Sequence, residues 1–200
     1  MQLHPKKSVR EYVDVVQSEE LEQHVFALVQ KLKKLYFNRK MNPNKKGKSA
    51  AARNLKKRYI VGMKEVMKHL AAENLKMVVL AVNLEQVEDD HGLDGMVYDI
   101  IQATRDQKIP LVFCLTRYKL GYVSKFQGQH ASILGVFNFQ GANEEFSALS
   151  LKNQELREEF YRQLSKNLSE YQLRLLRKEN RFLNWQLFDR IREAPETYFV

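Results

Sequence analysis

Apolar and polar residues follow helical spacing at the start of the chain. From Ser8 to Tyr36 apolar residues recur every three or four positions, which predicts a helix with one buried face, and a break near Ser18 can divide it. The next stretch, Arg39 to Ser49, mixes lysines with residues that favour turns, namely Asn42, Pro43, Asn44 and Gly47. This composition cannot form a buried face and predicts a mobile linker. A first boundary is therefore expected at the start of that stretch.

Helical and buried-strand patterns alternate from Tyr59 onward. The predicted order is helix Met63–Ala72, strand Lys76–Val82, helix Leu93–Gln107, strand Ile109–Leu115, short helix Thr116–Val123, strand Ile133–Phe139 and long helix Asn143–Leu168. Two apolar strands joined by a helix are typical of a parallel βαβ unit with a right-handed crossover. The pattern predicts an α/β protein, and specifically a three-layer α/β/α sandwich.

A further amphipathic pattern runs from Glu170 to Arg192 and predicts a terminal helix that ends before Pro195. The resulting organisation has an N-terminal helical extension (1–38), a basic linker (39–57), an α/β/α domain (58–168) and a C-terminal helical tail (169–200).

The composition excludes a disordered or fibrous protein, since 44% of the 200 residues are hydrophobic and spread along the chain. No apolar run approaches the ~20 residues that cross a membrane, and Met1 to Arg10 lacks the apolar core of a secretion signal. We expect an intracellular protein that is cytoplasmic, with the nucleus as a second compartment, and that has no membrane partner.

Charge is distributed unevenly. The net charge is +9, and the segment from Lys31 to Lys64 carries thirteen basic residues and no acidic one. The segment from Asn83 to Asp99 carries six acidic residues and no lysine or arginine. Basic runs are sometimes only solvated loops, but this one leads directly into an ordered segment with polar side chains and lacks the large apolar residues of an interfacial helix. It therefore favours a nucleic acid as the partner.

Enzyme chemistry finds little support in the sequence. The five histidines show no paired metal spacing, and the usual nucleophile and nucleotide-binding motifs are missing. His91 lies beside Asp89, Asp90 and Asp94, a pattern that is more typical of a solvated turn than of a metal site. The single cysteine, Cys114, lies within an apolar strand and is predicted to be a buried structural thiol. We expect no catalytic residue, metal or cofactor.

The segment around Gly62 carries the most specific signal. Gly62 opens a predicted helix and brings Lys64, Glu65 and Lys68 close to its first turn, directly after the basic residues Lys56, Lys57 and Arg58. Backbone N–H groups at a helix start favour anions, and lysine donates to phosphate or guanine. Glutamate only accepts, for example from an exocyclic amine of a base. Base reading and a simple helix start, with glycine as N-cap and an acid in the first turn, remain two interpretations of this spacing.

The order of motifs resembles the kink-turn-binding ribosomal-protein superfamily. The resemblance rests on Gly62-x-Lys64-Glu65-x-x-Lys68, the strand from Met77 to Val82, Ile109-Pro110-Leu111-Val112-Phe113, Arg117-x-x-Leu120-Gly121 and Leu134-Gly135-Val136-Phe137. Many members have asparagine at the position of Lys64. The lysine, with Lys68-His69-Leu70, Gly92-Leu93-Asp94 and the N-terminal Val9-Arg10-Glu11-Tyr12, is more similar to the selenium branch, the SECIS-binding protein 2 family.

This resemblance implies a non-enzymatic protein that binds the SECIS element, a stem-loop of selenoprotein messenger RNA with sheared G·A pairs. It implies that Gly62 permits close approach to the G·A pairs, that Lys64 and Glu65 contact the bases, and that Lys68 supports them. A second contact would consist of Arg117, Leu120 and Gly121, with Leu134 and Gly135 nearby. The consequence is selenocysteine incorporation at UGA codons, with the ribosome and the selenocysteine-specific elongation factor as further partners.

Two departures and several alternatives accompany the resemblance. Tyr122 stands where the selenium branch commonly has an arginine, and the approach to the last strand is Gln129-His130-Ala131-Ser132. The upstream segment that this branch requires for incorporation does not fit before Ser8, so we expect either a minimal protein or the RNA-binding part alone. The alternatives are a general kink-turn binder, a translation-termination-type module that docks proteins through its acidic face, and a substrate-binding domain of an enzyme.

Overall fold

The computed structural model describes residues 9–10, 12–41, 58–85, 87, 92–124 and 130–167, with side chains omitted for 37–41 and 165–167. Its elements are α1 (Glu19–Met41), β1 (Tyr59–Val61), α2 (Met63–Ala71), β2 (Met77–Leu80), α3 (Leu93–Asp106), β3 (Leu111–Phe113), α4 (Arg117–Ser124), β4 (Ile133–Val136) and α5 (Asn143–Asn167).

The described strands form one mixed sheet with the order β1-β4-β2-β3. Strands β2 and β3 are parallel and are connected through α3, which confirms the predicted βαβ unit. Strand β4 runs antiparallel to both of its neighbours, and Ile133 lies opposite Leu80 while Leu134 lies opposite Val61. As a result, β4 begins at the end of the sheet where β1 and β2 finish.

Helices cover both faces of the sheet. All four residues of β2 are buried, as expected for a strand that is covered on both sides. One group of helices consists of α2 and α3, which contact each other, and the second consists of α1, which packs against α4 and α5. The predicted α/β/α fold class is therefore confirmed, and its core lies between these two layers and the sheet.

The strand β1 was missing from the prediction, which contained three strands. It has only three half-buried residues, Tyr59 to Val61, and among the described strands it pairs only with β4. A run this short carries no periodicity, so its strand conformation comes from the hydrogen bonds to β4 and could not be derived from the local pattern.

The prediction of a helix from Ser8 was wrong, because none of the described residues before Glu19 is helical. Described residues of this segment, 9–10 and 12–18, instead make long-range bonds at the end of the sheet and to α5. Arg10 donates through its backbone N–H to the Val82 carbonyl (3.0 Å) and through Nη2 to Asp94 (2.9 Å). Asp14 accepts from Arg157 of α5 (2.9 Å).

The break predicted near Ser18 is a helix start. The Ser18 hydroxyl accepts from the Leu21 N–H at 3.1 Å, which is the geometry of a serine N-cap, and α1 begins at the next residue. The helix continues to Met41 and so overlaps the beginning of the predicted linker. The rest of that linker, from 42 to 57, and the predicted C-terminal helix Glu170–Arg192 lie outside the described residues.

We predict that Tyr12→Phe destabilises the fold although the ring stays buried. The Tyr12 hydroxyl donates to the Ala81 carbonyl (2.6 Å) and accepts from the Leu84 N–H (3.3 Å). Its removal leaves two buried backbone groups without this partner, so urea unfolding should show a loss of about 1 to 3 kcal/mol. The control is Tyr122→Phe, since Tyr122 is exposed and should change stability by less than about 0.5 kcal/mol. Equal stability of both variants would contradict the prediction.

Candidate nucleic-acid interface

Gly62 forms the turn between β1 and α2. Its φ of 114° and ψ of 136° lie in a region that residues with a Cβ atom rarely adopt, and it is the N-cap of α2. Its N–H donates to the Ile133 carbonyl (3.3 Å), while its carbonyl accepts from the Val66 N–H (3.0 Å). A Cβ atom built at this position would meet no heavy atom within 4 Å. The backbone conformation therefore demands glycine here, and the space beside it is open.

The polar residues predicted from the sequence lie together on the solvent side of α2. Lys64, Glu65 and Lys68 are exposed, whereas Val66 and Leu70 face the core. Within the described part of the chain none of these three polar side chains forms an ion pair. The first turn of α2 thus presents the ammonium group of Lys64 and the carboxylate of Glu65 beside backbone N–H groups, and Lys68 follows one turn later. Such a surface can donate to anions and accept from amines at the same place.

The second predicted group lies at the start of α4. Arg117 donates through its backbone N–H to the Asn83 side chain (2.8 Å) and through Nη2 to Glu85 (2.6 Å). Leu120 and Gly121 are buried and hold α4 against the core. Arg117 is therefore the member of this group that presents polar atoms at the surface, while the other two position the helix.

The two groups meet at one end of the sheet. The N–H of Ala131 donates to the Arg117 carbonyl (2.9 Å), and two residues later the Ile133 carbonyl accepts from Gly62. Between them the Ser132 carbonyl accepts from the N–H of Ala81 (2.9 Å), directly after β2. This is the end at which the parallel strands have their carboxyl termini, the usual position of binding sites in open α/β sheets.

Three other residues that were predicted to lie at the RNA-binding site make contacts within the fold. Arg58 is only 8% exposed, and its guanidinium donates to the Gln140 carbonyl (3.0 Å) at the opposite end of β1. Leu134 is buried within β4. The Cβ position of Gly135 lies 2.9 Å from a methyl group of Leu75 and 3.3 Å from one of Val66, so glycine allows α2 and the segment after it to pack closely on the sheet. All three thus make contacts within the fold, whereas Lys56 and Lys57 lie outside the described residues.

The acidic face predicted between Glu85 and Asp99 is partly used inside the fold. Asp94 is buried and pairs with Arg10, and Glu85 pairs with Arg117. Asp99 remains exposed, and 88–90 lie outside the described residues. The pairing leaves less free carboxylate at this face than the sequence indicates.

Other chemistry is not evident in the part of the chain that the structure describes. Cys114 is buried as predicted. Mainly because of this burial, the pKa of its thiol is raised to about 12, so the thiol stays protonated at neutral pH. Within the same residues no three His, Cys, Asp or Glu side chains are grouped to hold a metal ion. Nor is any described helix both long and apolar enough to cross a bilayer.

Four further exposed residues lie on α4 or shortly after it: Tyr118, Lys119, Tyr122 and His130. Tyr118 and Tyr122 are exposed on α4, and the ring of His130 lies 6.1 Å from that of Tyr118. The sequence pointed to Tyr122 and His130 as departures from the selenium branch, but not to Tyr118 or Lys119. The spacing of the two tyrosines, four residues apart on a short helix, was the signal that could have identified the pair.

The fold and the position of these residues define a class of protein. Residues 45–145 match the ribosomal protein L7Ae/L30e/S12e/Gadd45 family, and the chain belongs to that family. A solved structure, the Giardia lamblia 15.5kD RNA binding protein, covers 74% of this chain and 99% of its own with a TM-score of 0.52 and 15% identity. That similarity supports the fold.

Within this class the chain is similar to the SECIS-binding protein 2 group. It is 33% identical to selenocysteine insertion sequence-binding protein 2-like of Mus musculus over 155 residues, which is 77% of this chain. It is 32% identical to selenocysteine insertion sequence-binding protein 2 of Rattus norvegicus over 137 residues, or 68% of this chain. The matched regions cover only 14% and 15% of those relatives. The resemblance seen in the sequence is confirmed.

We predict that Gly62→Ala destabilises the protein by about 1 to 3 kcal/mol, because alanine at a φ of 114° is strained even though the space around it is empty. The matched control is Gly95→Ala within α3, where a Cβ atom also meets nothing within 4 Å. Gly95 is the third residue of α3, where the backbone suits alanine better than glycine, so its substitution should stabilise by up to about 0.5 to 1 kcal/mol. Denaturant unfolding of both variants measures the difference, and a shift of the same sign in both would refute the role assigned to Gly62.

Proposed function

We propose that this protein is a non-enzymatic RNA-binding protein that recognises the SECIS element of selenoprotein messenger RNA. The observation that carries the proposal is the exposed group Lys64, Glu65 and Lys68 at a glycine-led helix start, adjacent to the beginning of α4. Membership of the L7Ae/L30e/S12e/Gadd45 family and similarity to SECIS-binding protein 2 support RNA as the ligand.

The mixed charge of the α2 start favours a base-reading contact over a simple phosphate grip. A surface that binds phosphate alone gains nothing from a carboxylate, because the like charges repel. Glu65 can instead accept from the exocyclic amines that mispaired purines expose, while Lys64 donates to guanine acceptors or to the backbone. Sequence-specific RNA binding usually targets such distorted sites, because a regular RNA helix hides its base edges.

Affinity and specificity then come from different parts of the chain. The basic segment from Lys31 to Lys64 attracts the phosphate backbone without reading sequence, and its contribution falls as salt rises. The residues at the start of α2 provide the discrimination between RNAs.

The biological role that we propose is support of selenocysteine incorporation at UGA codons in the cytoplasm. The ribosome and the selenocysteine-specific elongation factor are the proposed protein partners. The matched part of the chain corresponds to about one seventh of the length of its curated relatives. The role in incorporation is therefore proposed from a region that is only a small part of those proteins.

We predict that Glu65→Ala loses discrimination for the G·A core. Affinity for a SECIS stem-loop should fall by about 1 to 3 kcal/mol, the usual value of a base contact, while affinity for the same RNA with disrupted G·A pairs stays nearly unchanged. Direct titration of both RNAs at fixed salt gives the two values.

The matched control is Glu144→Ala, which removes an equally exposed glutamate from the first turn of α5 and should leave both affinities unchanged. A general kink-turn RNA included in the titration separates SECIS recognition from the wider alternative. Equal losses on intact and disrupted RNA would refute base reading by Glu65. Failure of the wild-type protein to bind either RNA would refute the proposed function.

A further inference from the structure

Two aromatic side chains are exposed on the surface of α4. Tyr118 is 56% exposed and Tyr122 is 71% exposed, so neither ring is used to fill the core. They are four residues apart on one helix and therefore lie on the same face. Buried apolar residues of α4, Leu120 and Val123, occupy the opposite face. The helix thus presents two large rings to solvent side by side.

Tyr118 adjoins the proposed RNA surface, and Tyr122 follows one turn later on the same face of α4. His130 lies against Tyr118, and the next residue, Ala131, donates its N–H to the Arg117 carbonyl at the start of α4. The same short segment continues to Ile133, which accepts from Gly62. An RNA bound at the start of α2 can therefore extend onto α4 without leaving this end of the sheet.

The cations of α4 are already paired with carboxylates. Arg117 contacts Glu85, and Lys119 contacts Glu22 at the beginning of α1. Because each positive charge has a local partner, α4 offers phosphate less net attraction than the start of α2 does. On this surface the two tyrosine rings are therefore the groups best suited to bind a ligand. Flat aromatic rings favour a flat partner such as a nucleotide base, which can stack on them.

The helix that carries the rings is held firmly. Lys33 donates to the Val123 carbonyl (2.7 Å) at the last turn of α4, and Tyr59 donates to the Ser124 carbonyl (3.1 Å). The Ser124 hydroxyl in turn donates to the Leu120 carbonyl (2.7 Å). A ring on a fixed helix loses little conformational freedom when a base stacks on it, because only its side-chain torsions have to be ordered.

We propose that Tyr118 and Tyr122 form a stacking surface for unpaired nucleotides of the RNA that binds at Gly62. This inference rests on the proposed function and assigns the exposed face of α4 to the unpaired nucleotides of the same RNA. Stacking on aromatic rings is tolerant of base identity and gives a measurable affinity gain for each base. It requires the ring and not the hydroxyl, which provides a direct test.

The experiment titrates wild type, the double variant Tyr118→Leu/Tyr122→Leu and the double variant Tyr118→Phe/Tyr122→Phe with a SECIS stem-loop. Each unpaired nucleotide is replaced in turn by 2-aminopurine, whose fluorescence falls on stacking. The leucine variant should bind about ten-fold more weakly and lose the fluorescence change. The phenylalanine variant should bind within about two-fold of wild type and keep it, since stacking depends on the ring.

Salt dependence separates stacking from charge. The leucine variant should keep the wild-type slope of log K against log salt. Lys64→Ala should reduce the size of that slope by about 1, the effect of one lost phosphate contact. Leu151→Ala is the control for loss of an exposed apolar side chain, because Leu151 lies on α5 and is 62% exposed. Its affinity should equal that of wild type.

An RNA whose unpaired nucleotides are closed into pairs provides the last comparison, and the leucine and wild-type proteins should bind it equally. Unchanged affinity of the leucine variant for the unpaired RNA, or an equal loss on both RNAs, would overturn the stacking surface. If that happens while Glu65→Ala still loses discrimination, the proposed function stands and only this inference fails. If the wild-type protein binds no RNA, both are overturned.

Discussion

Hydrogen bonds to the residues at the beginning of β4 hold the proposed interface together. Three consecutive residues, Ala131, Ser132 and Ile133, bond respectively to the start of α4, the end of β2 and the turn at Gly62. Because these bonds lie on one short stretch of backbone, the helix start that carries Glu65 and the helix that carries Tyr118 have a fixed relative position. This arrangement requires β4 to run antiparallel to its neighbours, because only then does β4 begin at the end of the sheet where β1 and β2 finish.

Residues far away in the sequence also form hydrogen bonds that stabilise this end of the sheet. Arg10 bonds to Asp94 and to the Val82 backbone, and the Tyr12 hydroxyl joins the backbone of Ala81 to that of Leu84. Apolar residues of α1 are fully buried, among them Leu21, Val25, Leu28 and Leu32. The family match begins only at residue 45, yet the core includes these earlier residues. The folded unit is therefore larger than the region that the family shares.

The sequence predicted those parts of the fold that have a strong local pattern, and missed those that depend on distant contacts. Strand β2 is a continuous apolar run, and α2 begins at a glycine, so both could be predicted. By contrast, β1 is a strand because β4 pairs with it, and Val9–Ser18 has apolar residues that bind the sheet instead of forming a helix face. At the site, exposed Lys64 and Glu65 followed from helix periodicity. The burial of Arg58 did not, because its partner, the Gln140 carbonyl, is distant in the sequence.

The central claim is that RNA contacts the end of the sheet at which Gly62 and Arg117 meet, and mapping of backbone amide shifts by NMR tests it most directly. During titration with a SECIS stem-loop, the largest shifts should occur at Gly62, Lys64, Glu65 and the first turn of α4. The amides of Lys76 and Asn138 at the other end of the sheet should stay unchanged. Shifts concentrated at that other end, or along the exposed acids of α3, would contradict the account.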